Sequence, residues 1–123
     1  MSFVLQPPDH AYAVRSVADD AIVVNETTLT ASFYLSPDAL VANWPPRSVE
    51  ALEPEDLAGP LALGPEVVLL GTGIRQRFPA AAVLAACLTR GIGIEVMDNR
   101  GAARTFSILA GEGRRVVAAF LLG

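Results

Sequence analysis

The stretch "VVLLGTGIRQRFPAAAVL", Val67 to Leu84, decides the fold. It opens with a continuous apolar run, β-branched at first, which is the pattern of a strand covered on both faces. Gly71-Thr72-Gly73 then turns the chain, Ile74 to Phe78 form a loop bearing Arg75 and Arg77, and Pro79 starts a helix. That helix runs to Arg90, with Gly91 just past its end. "IGIEVMD" reads as a second covered strand, "NRGAARTFSILAGEG" as a helix and "RRVVAAFLL" as the last strand. Upstream, "RSVEAL" is short and β-compatible. "EPEDLAGPL", with Pro54 early and acids in its first turn, is a short helix. The order β-α-β-α-β-α-β over Arg47–Leu122 predicts an α/β domain with a mainly parallel central sheet, helices on its faces and right-handed crossovers. Val67–Leu70 and Ile92–Val96 should be adjacent parallel strands. The direction of the last strand is left open.

The first third of the chain has a different period. Residues 1–11, with "QPPDH", form a loose lead-in. "YAVRSV" alternates, and "AIVVNETTLTASFYLS" holds two apolar β-branched runs around "NET". These segments predict an antiparallel β-meander with a two- or three-residue loop at Asn25, a residue that tolerates positive φ. "SPDAL" offers Ser36 as N-cap and Pro37 at the first helical position, and so predicts one helical turn. In "VANWPP" regular structure breaks, and Trp44 is an aromatic plug for the core.

One domain fits a chain of 123 residues that is 52% hydrophobic and 18% charged. No apolar run reaches the roughly 18 residues a membrane-spanning helix needs. The start, "MSFVLQPPDHAYAVRS", carries no basic region ahead of a long apolar core and no arginine-rich presequence. It reads as a bacterial-type cytoplasmic protein. All nine basic residues are arginine and the net charge is −4, so a P-loop lysine and a Schiff-base lysine are excluded. A broad nucleic-acid-binding face is also disfavoured.

The glycine turn is the place to look for a ligand. The dinucleotide fingerprint G-x-G-x-x-G needs a third glycine where this chain has Gln76, and a helix that begins inside the motif. The ribose-binding acid expected some twenty residues further on is replaced by Arg90 and Gly91. No cofactor is therefore expected. Gly71 and Gly73 still permit a nest of N–H groups for an anion, with Arg75 and Arg77 adding charge; the plainer reading is a turn with two solvated arginines. Asp98 or Asn99 should cap the next helix. Ligands of open parallel sheets bind beyond the carboxyl ends of the strands. A candidate anion crevice therefore comprises Gly71, Thr72, Gly73, Arg75, Arg77, Asp98, Asn99, Arg100 and Arg104.

Elsewhere the chain offers no catalytic or metal-binding constellation. His10 is the only histidine and lies in the lead-in. Cys87, the only cysteine, sits on an alanine- and leucine-rich helix face and should be buried and inert. Glu50, Glu53, Glu55, Asp56 and Glu66 are a solvated acidic zone.

From about Ala13 to Gly123 the chain resembles the Mth-type domain family, which includes the mitochondrial complex I assembly factor three and the adipogenesis-associated Mth-domain protein. The resemblance rests on "VVN" at 23–25, Trp44, "VVLLGTG" at 67–73, "GIGIEVMD" at 91–98, "ARTF" at 103–106 and "EGRRVVAAFLL" at 112–122. It implies a three-layer α/β domain and, in the mitochondrial member, a part in assembling respiratory NADH dehydrogenase. The segment after the family's aspartate often carries a cysteine before the arginine; here that place holds Ala103, so thiol chemistry there is absent.

Two functions follow. One is a non-enzymatic interaction module whose partner, by the resemblance, is a respiratory complex subunit. The other is a binder of a small anion, or an enzyme acting on one, in the Gly71–Asp98 crevice. The missing catalytic groups favour the first.

Overall fold

The computed structural model describes residues 10–123. The lead-in read over residues 1–11 lies, up to residue 9, outside the described residues. The chain builds two sheets. Strands β1 (Val14–Val17), β2 (Ile22–Val24) and β3 (Thr27–Leu29) form the expected antiparallel meander. The β2–β3 loop has two residues, since Val24 pairs with Thr27, and Asn25 takes φ 53°. Only Asn25 needs the left-handed region, so Glu26 is tolerated there.

The second sheet has five strands in the order β5-β4-β8-β6-β7. These are β4 (Phe33–Leu35), β5 (Leu40–Val41), β6 (Val67–Gly71), β7 (Gly93–Met97) and β8 (Val116–Phe120). Strand β6 runs parallel to both β7 and β8, so the pair read from the sequence as adjacent and parallel is so, and the last strand joins the parallel set. Strand β4, however, is antiparallel to β8 and to β5. The sheet is mixed rather than mainly parallel, because the end of the N-terminal β region supplies two of its strands.

Three local readings change with it. "SPDAL" is a hairpin turn between β4 and β5, not a helical turn: the Ser36 amide donates to the Ala39 carbonyl at 2.8 Å and the Ser36 hydroxyl accepts the Asp38 amide at 3.2 Å. "RSVEAL" is not a strand. Its turns join Ala51 to Ser48 and Leu52 to Val49, which puts Val49 and Leu52, three apart, into the core together. Finally, β7 is an edge strand, and Gly93 and Glu95 are exposed. Ile94 and Val96 pack on one face, and on the other only Met97, at the strand's end, packs inward.

The helices follow the sequence more closely. Pro54–Leu57 is a 3-10 turn leading into α1 (Ala58–Ala62). Helix α2 spans Ala81–Leu88, two residues inside the proline that announces it, and Gly91 past its end has φ 71°. Helix α3 covers Asn99–Gly111 and is capped by Asp98, whose carboxylate accepts the Gly101 amide at 2.7 Å.

The five-stranded sheet separates two cores, which makes three layers. Along β6 and β8 the side chains alternate. Leu69, Val116, Ala118 and Phe120 face a core closed by the meander and α3, centred on Phe33 and Phe106. Val68, Leu70, Ala119 and Leu121 face another, closed by α1, α2 and Trp44. Trp44 is the plug its sequence context suggests: it is buried, its Nε1 donates to the Asp56 carbonyl at 2.9 Å, and its ring meets Tyr34 edge-on. Cys87 is fully buried in this second core.

Candidate functional site: the carboxyl edge of the parallel strands

In register, Gly71 pairs with Met97 and with Phe120, so β6, β7 and β8 end along one line. The loops that leave them meet there, and Asn99 joins them. Its side chain is buried. Oδ1 accepts the Gly73 amide at 3.0 Å, and Nδ2 donates to the Leu121 carbonyl at 3.1 Å. The Asn99 amide donates to the Gly73 carbonyl at 2.8 Å. One residue at the start of α3 thus ties the exits of β6 and β8. Gly71 is glycine for the same reason, since a Cβ there would collide with Asn99 Oδ1 and crowd the Phe120 ring. Gly73 has φ 99°, a conformation that L side chains rarely adopt.

Thr72 pins the next loop. The Thr72 amide donates to the Met97 carbonyl at 2.9 Å. Its hydroxyl donates to the Arg75 carbonyl at 2.6 Å and accepts the Arg77 amide at 3.0 Å. Gln76 Nε2 donates to the Val96 carbonyl at 2.9 Å, capping an outward group of the edge strand. The Arg77 guanidinium meets Glu50 at 2.6 Å. The turn's amides at Thr72 and Gly73 are therefore occupied by Met97 and Asn99 and do not project into an open nest.

The nine candidate residues are only partly brought together. Gly71, Thr72, Gly73, Asp98 and Asn99 meet at the strand ends. Thr72, Gly73 and Arg77 line a small cleft of about 180 Å³ with Arg47 and Glu50. Arg100 borders a narrow recess with Gly73 and Asn99, but its guanidinium turns to the meander, donating to the Val17 carbonyl at 2.6 Å, with Asp19 3.7 Å away. Arg104 lines a different groove, between β1 and α3, with Arg15 and Ser107. Arg75 is exposed and forms no hydrogen bond through its guanidinium and no ion pair among the described residues.

Two features escaped the sequence reading. The loop exposes two large apolar side chains, Ile74 at 67% and Phe78 at 68%. The signal was present, an isoleucine and a phenylalanine in a loop otherwise built of polar residues. A cleft of about 530 Å³ also opens at the opposite end of the sheet, lined by His10, Ser36, Asp38, Glu112, Arg114 and Arg115 among others. It joins residues 10 to 117, a convergence that no local motif announces. Among the described residues there is no cluster of three or more metal-ligating side chains, and no helix is long and apolar enough to cross a membrane.

Comparison with known proteins places this architecture. The model of the family described as "Protein of unknown function (DUF498/DUF598)" matches residues 14–121. NADH dehydrogenase [ubiquinone] 1 alpha subcomplex assembly factor 3 of Bos taurus is 33% identical over 113 residues, covering 90% of this chain and 61% of the bovine protein. The Homo sapiens counterpart is 43% identical over 56 residues, 46% of this chain and 30% of that protein. The chain therefore spans less than two thirds of the curated relatives it matches. An NMR structure from Xanthomonas campestris is 51% identical over 100% of this chain and 93% of that one, with a TM-score of 0.84. The Mth938-like domain of Bordetella pertussis is 30% identical, with a TM-score of 0.84, over 98% of this chain and 92% of that one. Sequence and fold agree, and the chain belongs to the DUF498/DUF598 family of Mth938-like domains, which includes homologues of that assembly factor.

Proposed function

We propose that this chain is a non-enzymatic interaction module acting in the cytoplasm, and that it helps assemble a respiratory NADH dehydrogenase by binding one of its subunits. One observation carries the reading: the turn that would have to cradle a ligand spends its donors inside the protein, while the loop beyond it turns apolar and cationic side chains outward. A turn fixed in this way supports display better than capture. The identity of the curated relatives as NADH dehydrogenase assembly factors supports the choice of partner. The test is deletion of the gene in a bacterium that carries it, followed by native-gel quantitation of assembled NADH dehydrogenase. A deficit restored by the wild-type chain is the expected result, and unchanged assembly would remove the role.

The small-anion reading keeps one supporting observation, the cleft where Arg47, Thr72, Gly73 and Arg77 meet. Calorimetric titration with phosphate, NAD, NADP and ATP separates the two. The interaction module expects millimolar phosphate binding or none. Micromolar binding of a nucleotide, lost in Arg77→Ala, would reverse the order.

A further inference from the structure

We propose that the 74–78 loop is a docking tip, and that its occupant is a segment of a different protein with apolar side chains flanked by carboxylates. This rests on the interaction-module reading and gives it a surface and a partner chemistry.

Ile74 and Phe78 lie four positions apart at the two ends of the loop and are about two-thirds exposed. Loops are ordinarily polar; an exposed phenylalanine and isoleucine together mark an interaction site, and phenylalanine and arginine are both enriched at protein interfaces. Despite this exposure the loop is held along its length. Thr72 grips it at Arg75 and Arg77, Gln76 bonds to β7, and Arg77 pairs with Glu50. A display surface already fixed in shape loses little conformational freedom when it binds.

Charge selects the occupant. Arg77, Arg100 and Arg114 have ionic partners among the described residues and the other six arginines do not; of those six, Arg75 is the one that stands between two exposed large apolar side chains. A partner carboxylate meets Arg75 without breaking an ion pair among the described residues. The chain as a whole carries −4, so an acidic partner gains only where arginines are displayed, and at this loop Arg75 and Arg77 are displayed beside apolar side chains. The same net charge opposes docking on an anionic membrane, where the loop's two arginines, Arg75 and the Glu50-paired Arg77, would be too little.

The experiment is site-specific photo-crosslinking in cells that produce the chain. A benzoylphenylalanine is placed in turn at Ile74, Phe78, Leu88 and Ile108, the last two being exposed apolar positions on α2 and α3. Mass spectrometry then identifies the contacted segment. The expected result is crosslinking from Ile74 and Phe78 to a segment of another protein that combines Asp or Glu with apolar residues. Arg75→Glu should lower that yield about tenfold, and reversing the contacted carboxylate to arginine should restore it. Crosslinks only to a second copy of this chain, a contacted segment without acids, or indifference to Arg75→Glu would overturn the proposal. Crosslinks from Leu88 or Ile108 alone would overturn this surface and leave the interaction module standing. No crosslink at any of the four positions would overturn both.

Discussion

Replacing Asn99 with alanine should loosen the whole carboxyl edge. The side chain is 3% exposed and makes two hydrogen bonds, to the Gly73 amide and the Leu121 carbonyl. Each is worth about 1 kcal/mol net, and a buried group left without a partner adds about 1–2 kcal/mol. Leu121 is buried, so its carbonyl bears that penalty; Gly73 is half-buried, and water relieves part of its loss. The total is about 2–4 kcal/mol. With an unfolding entropy of about 2.1 cal/mol/K per residue over 123 residues, this lowers Tm by about 8–16 °C. Thermal unfolding followed by circular dichroism at pH 7 measures it. Asn99→Asp sharpens the test. It keeps an acceptor for Gly73 but sets a carboxylate oxygen against the Leu121 carbonyl. Burial and that carbonyl raise the folded-state pKa above the unfolded one, so the folded chain binds the proton more strongly. Stability must then rise as pH falls through the folded pKa and be lost as pH rises. A Tm loss under about 3 °C in Asn99→Ala, or an Asn99→Asp variant no more stable at pH 5 than at pH 7, would refute the view that Asn99 is the tie.

Ser32→Ala should cost about 1–3 kcal/mol in chemical denaturation, because the buried hydroxyl both accepts the Leu122 amide at 2.9 Å and donates to the Leu122 carbonyl at 3.1 Å; an unchanged midpoint would contradict this. Burial pushes the Cys87 thiol above its ordinary range, offset only in part by Arg90, so a polar thiol reagent should label it only after denaturant is added. Glu66 should titrate below the usual carboxylate range, since the Arg115 amide and then Arg114 hold its charged form; its contribution to stability is present above the unfolded pKa and lost as pH falls through the folded one. An NMR titration showing Glu66 at or above the ordinary range would rule that out. Ile74→Ser and Phe78→Ser should leave Tm within about 2 °C of wild type, as exposed substitutions do; a larger fall would show that the loop is part of the core.

Local elements were legible wherever neighbouring residues carry the decision. The apolar run at Val67, the proline before α2, Gly91 after it and the Asp98 cap each act within one turn or one strand, so their chemistry can be read from adjacent letters. Where two local patterns competed, tertiary pairing chose between them. Ser36-Pro37-Asp38 suits a helix start as well as a hairpin turn, and only the pairing of Leu35 with Leu40 selects the turn. Val49 and Leu52 suit a strand until the second core takes both from one side.

The sequence by itself determined that an antiparallel meander precedes alternating strands and helices, that β6 and β7 pair in parallel, and that Trp44 and Cys87 are core. Hydrophobic periodicity and the conformational limits of glycine and proline suffice for that. Only the tertiary structure decided that β4 and β5 join the second sheet, that β7 is its edge, and that Asn99 closes the glycine turn which the sequence offered to an anion. Strand order and the choice of hydrogen-bond partner depend on residues far apart in the chain. Asn99 meets Gly73 and Leu121 across 26 and 22 positions, and β4 meets β8 across more than 80. An asparagine after an aspartate looks the same in one dimension whether it caps a helix or ties two strands, and the packing of β6 against β8 makes it the tie.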